Sequence, residues 1–126
     1  KLKIGDIICL FGELGSGKTT FSRNLIKSIY KRNKEKKPVS IKSPSFPILL
    51  TYKVNNFEIY HYDLYRISKV KELLEINIFE EMHNSITIIE WPEIIIDMLK
   101  DYNFYSLKLT IVDENIRNIK HNLFLN

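Results

Sequence analysis

Residues Gly12-Glu13-Leu14-Gly15-Ser16-Gly17-Lys18-Thr19 meet the pattern G-x-x-x-x-G-K-[ST] at every fixed position. Each position has a physical job. The glycines allow a tight turn and keep side chains from between the backbone amides and a phosphate. Successive N–H groups then form an anion-binding concavity at the start of a helix, whose dipole favours negative charge. Lys18 supplies a point charge for the β- and γ-phosphates, and the Thr19 hydroxyl suits Mg²⁺. The flanking sequence supplies the context the pattern requires. Ile7-Ile8-Cys9-Leu10-Phe11 is a short apolar run, as expected of a strand buried on both faces of a parallel sheet. Phe21, Leu25, Ile26, Ile29 and Tyr30 then recur at helical spacing among polar residues.

Strand, glycine loop and amphipathic helix in that order predict an α/β chain. At 126 residues it is expected to be one domain, residues 1–126, with a sizeable core. No stretch is long and apolar enough to span a bilayer, and no signal peptide is visible. Cys9 is the single cysteine, so an internal disulfide or cysteine metal cluster is excluded. It reads as a small core residue in a reducing, cytoplasmic setting. The formal charge of +4 owes much to Lys31-Arg32-Asn33-Lys34-Glu35-Lys36-Lys37. That run is read as a solvated helix end rather than a nucleic-acid contact. A chain rich in Ile, Lys and Asn and without alanine has the composition of an AT-rich genome.

Downstream, residues 34–47 read as a long polar loop. Ile48 to Val54 and Phe57 to Leu64 are expected strands around an Asn55-Asn56 hairpin turn. Lys69 to Glu75 can form a short helix, with Asn77 as a left-handed stop. Ile78 to Met82 is expected to add a turn or two of helix. Ile86 to Ile89 reads as a buried strand. Pro92 is expected to begin a helix reaching about Lys100. Alternation predicts strands over Tyr105–Ile111 and Ile119–Leu125, with a turn at Asp113-Glu114-Asn115. The expected fold is a mixed sheet with a parallel core and antiparallel hairpins, flanked by helices.

Hydrolysis also needs a carboxylate on the far side of Mg²⁺ and a group that orients the nucleophile. Glu90 follows an apolar strand, at the sheet edge where ligands of open α/β folds gather. Asp63 ends another strand. Either can hold Mg²⁺, directly or through water, and either can orient water. Ser45 lies in Ser43-Pro44-Ser45-Phe46-Pro47, a proline-stiffened segment that could switch with nucleotide state. His61 shares a strand face with Asp63 and reads as a structural partner. No Asp-x-x-Gly follows the switch segment and no Asn-Lys-x-Asp is present, which argues against a GTPase.

Four segments together resemble one family. Residues 12–20, Ser-Pro-Ser-Phe at 43–46, His-Tyr-Asp-Leu-Tyr-Arg at 61–66 and Ile-Glu-Trp-Pro-Glu at 89–93 are similar in order and spacing to the TsaE (YjeE) ATPases. The resemblance covers nearly the whole chain. It implies a bacterial cytoplasmic ATPase, with ATP and Mg²⁺ as cofactors, needed to make threonylcarbamoyladenosine (t6A) in tRNA. Its implied partner is a TsaB–TsaD heterodimer, in which TsaD transfers the threonylcarbamoyl group; tRNA contact would be indirect or weak. Carried over, Gly12 to Thr20 form the phosphate loop, Thr19 and Glu90 hold Mg²⁺, and Ser45 stands where threonine is usual. Asp63 is the water-orienting or metal-side carboxylate, Trp91 lies near the nucleotide, and Arg117 falls near an arginine that precedes the family's last strand. Asn77 and Pro47 depart from the family pattern, and the family's N-terminal segment is expected to be missing. A small-molecule kinase on the same phosphate loop is the alternative, and a nucleotide-dependent binding module a third reading.

Overall fold

The computed structural model describes residues 2–34, 41 and 48–121. The first strand, β1 (Ile7–Phe11), runs into the glycine loop and then α1 (Lys18–Arg32). β2 (Leu49–Val54) and β3 (Phe57–Asp63) follow as a hairpin turned at Asn55, which takes φ 52°. After α2 (Val70–Glu75) come β4 (Ser85–Glu90), β5 (Phe104–Asp113) and β6 (Ile116–His121). The strands form one six-stranded sheet in the order β2-β3-β4-β1-β5-β6. β3, β4, β1 and β5 are mutually parallel, whereas β2 and β6 pair antiparallel at the two edges. The expected parallel core with added hairpins is the observed arrangement.

The central strands are buried on both faces, which explains their unbroken apolar character. Ile8 and Leu10 of β1 join Ile86, Ile88, Leu107 and Leu109 under Ile26, Ile29 and Tyr30 of α1. Ile7 and Cys9 point the other way, against Tyr62, Leu73, Ile78, Ile89, Ile95 and Leu99. Burial pushes the Cys9 thiol up to about 12, with Glu93 adding to the effect, so this cysteine is an inert core residue. At its C-terminal end α1 is tied to the sheet edge by the Tyr30 hydroxyl, which donates to the Lys53 carbonyl at 2.7 Å.

Asn77 stops α2 as expected, with φ 55°. Ile78 N–H reaches back to Leu73 O at 3.4 Å and Asn77 N–H to Leu74 O at 3.1 Å, the paired bonds of a Schellman motif. Its accompanying apolar contact joins Leu73 and Ile78, both buried in the same cluster. Beyond it the structure corrects the sequence reading. Residues 78–81 form successive turns leading to a 3₁₀ segment at Met82–Asn84, not α-helix. The expected helix from Pro92 to Lys100 is two 3₁₀ segments, Pro92–Ile94 and Ile96–Met98, held by i→i+3 bonds such as Ile95 N–H to Pro92 O at 2.9 Å. Three consecutive isoleucines, 94–96, weaken α-helical propensity there. The last strand begins earlier than expected, at Ile116, because Asp113 Oδ1 accepts from the N–H groups of Asn115 and Ile116 and closes the turn at once. Among the described residues, no helix is long and apolar enough to cross a membrane.

Asn77→Ala should cost about 1 kcal/mol in urea unfolding, since a Cβ-bearing residue without a local amide disfavours the left-handed region. Asn77→Gly should cost nothing measurable.

Candidate functional site

The loop 12–17 joins the C-terminal end of β1 to α1, so the sheet places it at the edge where parallel strands end. Gly12 takes φ 149°. A Cβ there would lie 2.5 Å from Ser16 Oγ and 2.7 Å from the Leu109 carbonyl of β5, so the loop can pass only without a side chain. Gly17 caps α1 in a left-handed conformation at φ 102°, and its carbonyl accepts from Phe21 N–H. Ser16 is fully buried, and its hydroxyl has no hydrogen-bond partner among the described residues.

Lys18 folds back over the loop and donates to the carbonyls of Gly12 and Glu13, the latter at 3.0 Å. Its Nζ also lies 4.0 Å from the centre of the Trp91 ring, a cation–π contact. Burial pulls the ammonium below the ordinary lysine value, while Glu90, Glu93, Asp63 and Glu13 pull it back up. The backbone at Trp91 is itself strained, with φ 58°, unusual for a bulky residue. Tyr65 also packs against this ring, tilted by 54° with centroids 4.8 Å apart.

Register brings the carboxylates in. Glu90 is level with Leu10 of β1 and with Asp63 of β3. Thr19 Oγ1 donates to Glu90 Oε1 at 2.9 Å. A hydroxyl that gives its proton to a carboxylate keeps its lone pairs for a cation. Glu90 Oε2 meets His61 Nε2 at 2.7 Å and accepts from Ser22 Oγ at 3.2 Å. Glu90 and His61 are almost entirely buried. Asp63 is also buried; its Oδ1 accepts from Tyr65 N–H at 3.0 Å. Leu14, Gly15, Gly17, Lys18, Thr19, Thr20, Asp63, Glu90 and Trp91 together line a cleft of about 280 Å³.

Arg117 sits inside the last strand, as the second residue of β6, rather than before it. Its guanidinium donates to Gly15 O at 3.2 Å and to the Asp113 carbonyl at 2.7 Å, so it reaches the phosphate loop. Ser45 lies outside the described residues. His61, read from the sequence as a structural partner on the Asp63 face, partners Glu90, whereas Ser22 and Tyr65 carry no sequence assignment to this constellation. Ser22 follows Lys18 by one helical turn and so shares its sheet-facing side. His61 alternates with Asp63, which was the signal available for it. Among the described residues, no group of three or more His, Cys, Asp and Glu side chains could hold a metal ion. Mg²⁺ on a nucleotide, however, needs only one or two protein ligands besides phosphates and water.

Comparison with known proteins agrees with this architecture. The family model "Threonylcarbamoyl adenosine biosynthesis protein TsaE" matches residues 1–120. The chain is similar to the tRNA threonylcarbamoyladenosine biosynthesis protein TsaE of Rickettsia felis, at 42% identity over 92% of this chain and 64% of that one. It is 41% identical to the Rickettsia typhi protein of that name over 98% of this chain and 83% of that one, and 34% identical to the Aquifex aeolicus protein over 94% and 78%. The chain thus spans less than two thirds of the Rickettsia felis relative's length. The solved structure of Bacillus subtilus YdiB shares the fold, with a TM-score of 0.59 at 24% identity over 94% of this chain and 68% of that one. By the family match over nearly its whole length, and by relatives more than 30% identical, this chain belongs to the TsaE family of threonylcarbamoyladenosine biosynthesis proteins.

Proposed function

We propose that this chain binds and hydrolyses ATP with Mg²⁺ as an accessory protein of tRNA t6A modification, acting with a TsaB–TsaD heterodimer in the cytoplasm. The observation that carries the reading is the Thr19–Glu90 hydrogen bond across the cleft, which sets a carboxylate beside the end of the phosphate loop. Two further features support a bound phosphate: the buried, unpartnered Ser16 hydroxyl and the loop that a Cβ at Gly12 would block. The residues therefore fit a Mg²⁺-nucleotide. Such a ligand would supply the γ-phosphoryl group and a cation that neutralises its developing charge.

The chain's own groups divide the remaining work. The loop amides and Lys18 would hold the phosphates, Lys18 leaving the Gly12 and Glu13 carbonyls to do so. Thr19 would hold the cation, with Glu90 orienting the Thr19 hydroxyl and cation-bound water. Thr19 on Oε1 and His61 on Oε2 commit both Glu90 oxygens to positioning the cation side, which favours Asp63 for the attacking water. Asp63 spends one oxygen on the Tyr65 turn, and among the described residues no hydrogen bond is seen to the other, which supports giving it the water-orienting role. Trp91 would flank the nucleotide, and Arg117, through Gly15, would brace the loop. The tRNA chemistry itself falls to the partner, and ATP turnover with and without TsaB–TsaD tests the coupling: turnover should rise severalfold with the partner. Turnover unchanged by the partner, or phosphoryl transfer to a small acceptor instead of water, would favour the kinase alternative.

ATP with Mg²⁺ at a hundredfold excess over Kd should stabilise the fold by about 2.7 kcal/mol. Lys18→Ala should remove most of that melting shift while the unliganded protein melts almost as before. The two carboxylates should separate by readout. Glu90→Gln should weaken apparent Mg²⁺ affinity about tenfold or more in a titration followed by nucleotide binding. Asp63→Asn should slow hydrolysis about a hundredfold while Mg-ATP affinity stays near wild type, as measured by calorimetry.

A further inference from the structure

His61 is fully buried and has one bonded and one orphaned ring nitrogen. Nε2 lies 2.7 Å from Glu90 Oε2, whereas Nδ1 has no hydrogen-bond partner among the described residues. An orphaned buried nitrogen is a stability cost that an apolar side chain would avoid. The surrounding face of the sheet is apolar: Ile59 two residues earlier on β3 and Ile88 level with His61 on β4 are both buried there. Filling that space does not by itself call for a histidine. The bond to Glu90 does.

The demand comes from the carboxylate's freedom. The last torsion of a glutamate side chain is broad and two-fold, so nothing intrinsic to Glu90 fixes which oxygen faces Thr19. Oε1 is engaged by Thr19. For Oε2 the structure offers Ser22 and His61. Ser22 has a single hydroxyl proton, and it lies 2.9 Å from the Lys18 carbonyl as well as 3.2 Å from Glu90. One proton cannot serve both acceptors at once, and the carbonyl is the nearer. His61 is the donor to Oε2 that no other acceptor contests among the described residues. It also comes from a different element, β3, so the carboxylate is gripped between the sheet and α1.

We propose that His61 is a positioning residue: as an Nε2–H donor it fixes Glu90 Oε2, so that Oε1 is presented to Thr19 and the cation it holds. The inference rests on the reading of Glu90 as the metal-side carboxylate. His61 itself touches neither nucleotide nor metal. Its effect is to raise the fraction of protein in which the Thr19–Glu90 arm is set before Mg²⁺ arrives, so it should act on the metal-dependent part of nucleotide binding alone.

The test uses two variants of similar bulk and polarity. In His61→Gln the amide nitrogen reaches the position of Nε2; in His61→Asn it stops near that of Nδ1. ATP affinity is measured by calorimetry for wild type and both variants, once with Mg²⁺ and once with EDTA. His61→Asn should lose about tenfold or more of the affinity that Mg²⁺ adds, with affinity in EDTA unchanged. His61→Gln should keep most of the Mg²⁺ gain. The proposal is overturned if both variants keep the gain, if both lose it, or if the Asn variant loses affinity equally in EDTA. A wild-type protein whose ATP affinity ignores Mg²⁺ would instead overturn the metal-side reading of Glu90. The ring itself gives a readout that needs no variant and no ligand. Nitrogen-15 spectra of wild-type protein should show His61 with its proton on Nε2, and a bare Nε2 would overturn the donation even if neither variant folds.

Discussion

The candidate site depends on the parallel pairing of β1 with β4. That ladder sets Leu10 level with Glu90, two residues before the glycine loop begins. Parallel strands end on the same side, so the loop leaving β1 and the carboxylate ending β4 meet without any long excursion of the chain. Trp91 extends the same ladder by one residue, its N–H reaching the Leu10 carbonyl at 3.3 Å. The left-handed turn at Trp91 then swings the chain away and lays the indole against Lys18. β3 adds Asp63 beside Glu90 by the same logic. Three strands thus deliver loop, carboxylates and indole to one edge.

The helix α1 serves both the core and this edge. Ile26, Ile29 and Tyr30 bury against the sheet. One turn in from its start, Ser22 faces the same sheet but meets Glu90 instead of a hydrocarbon. The apolar stripe of the helix therefore becomes polar where it passes over the strand ends. Burying Glu90 there would be costly if its oxygens were unmet. Thr19, Ser22 and His61 meet them, so a buried carboxylate is tolerated within a few ångströms of an apolar core. The unsatisfied atoms remaining nearby, Ser16 Oγ and His61 Nδ1, mark where the packing serves something other than stability.

Much of the fold was legible because its signals are local. The β1 run, the α1 stripe, the Asn55 turn and the Asn77 stop each follow from periodicity or from one residue's conformational preference. The failures were local in another way. Residues 92–98 carry apolar spacing that suits either an α-helix or tighter 3₁₀ coils. Packing of Ile95 and Leu99 into the second core layer goes with the tighter form. Residues 78–82 likewise carry helical spacing yet are compressed into turns and the start of a 3₁₀ segment between the α2 stop and β4.

Residue order alone reveals the phosphate loop, the apolar runs of the buried central strands, and two acidic residues at strand ends. It could not say what those carboxylates touch. Thr19 and Glu90 are 71 residues apart, and His61 and Glu90 are 29 apart. Hydrophobic periodicity tells a strand which face turns inward, not which strand will lie beside it. Only the sheet order and register, chosen by the packing of all six strands at once, decided that one glutamate oxygen belongs to Thr19 and the other to His61.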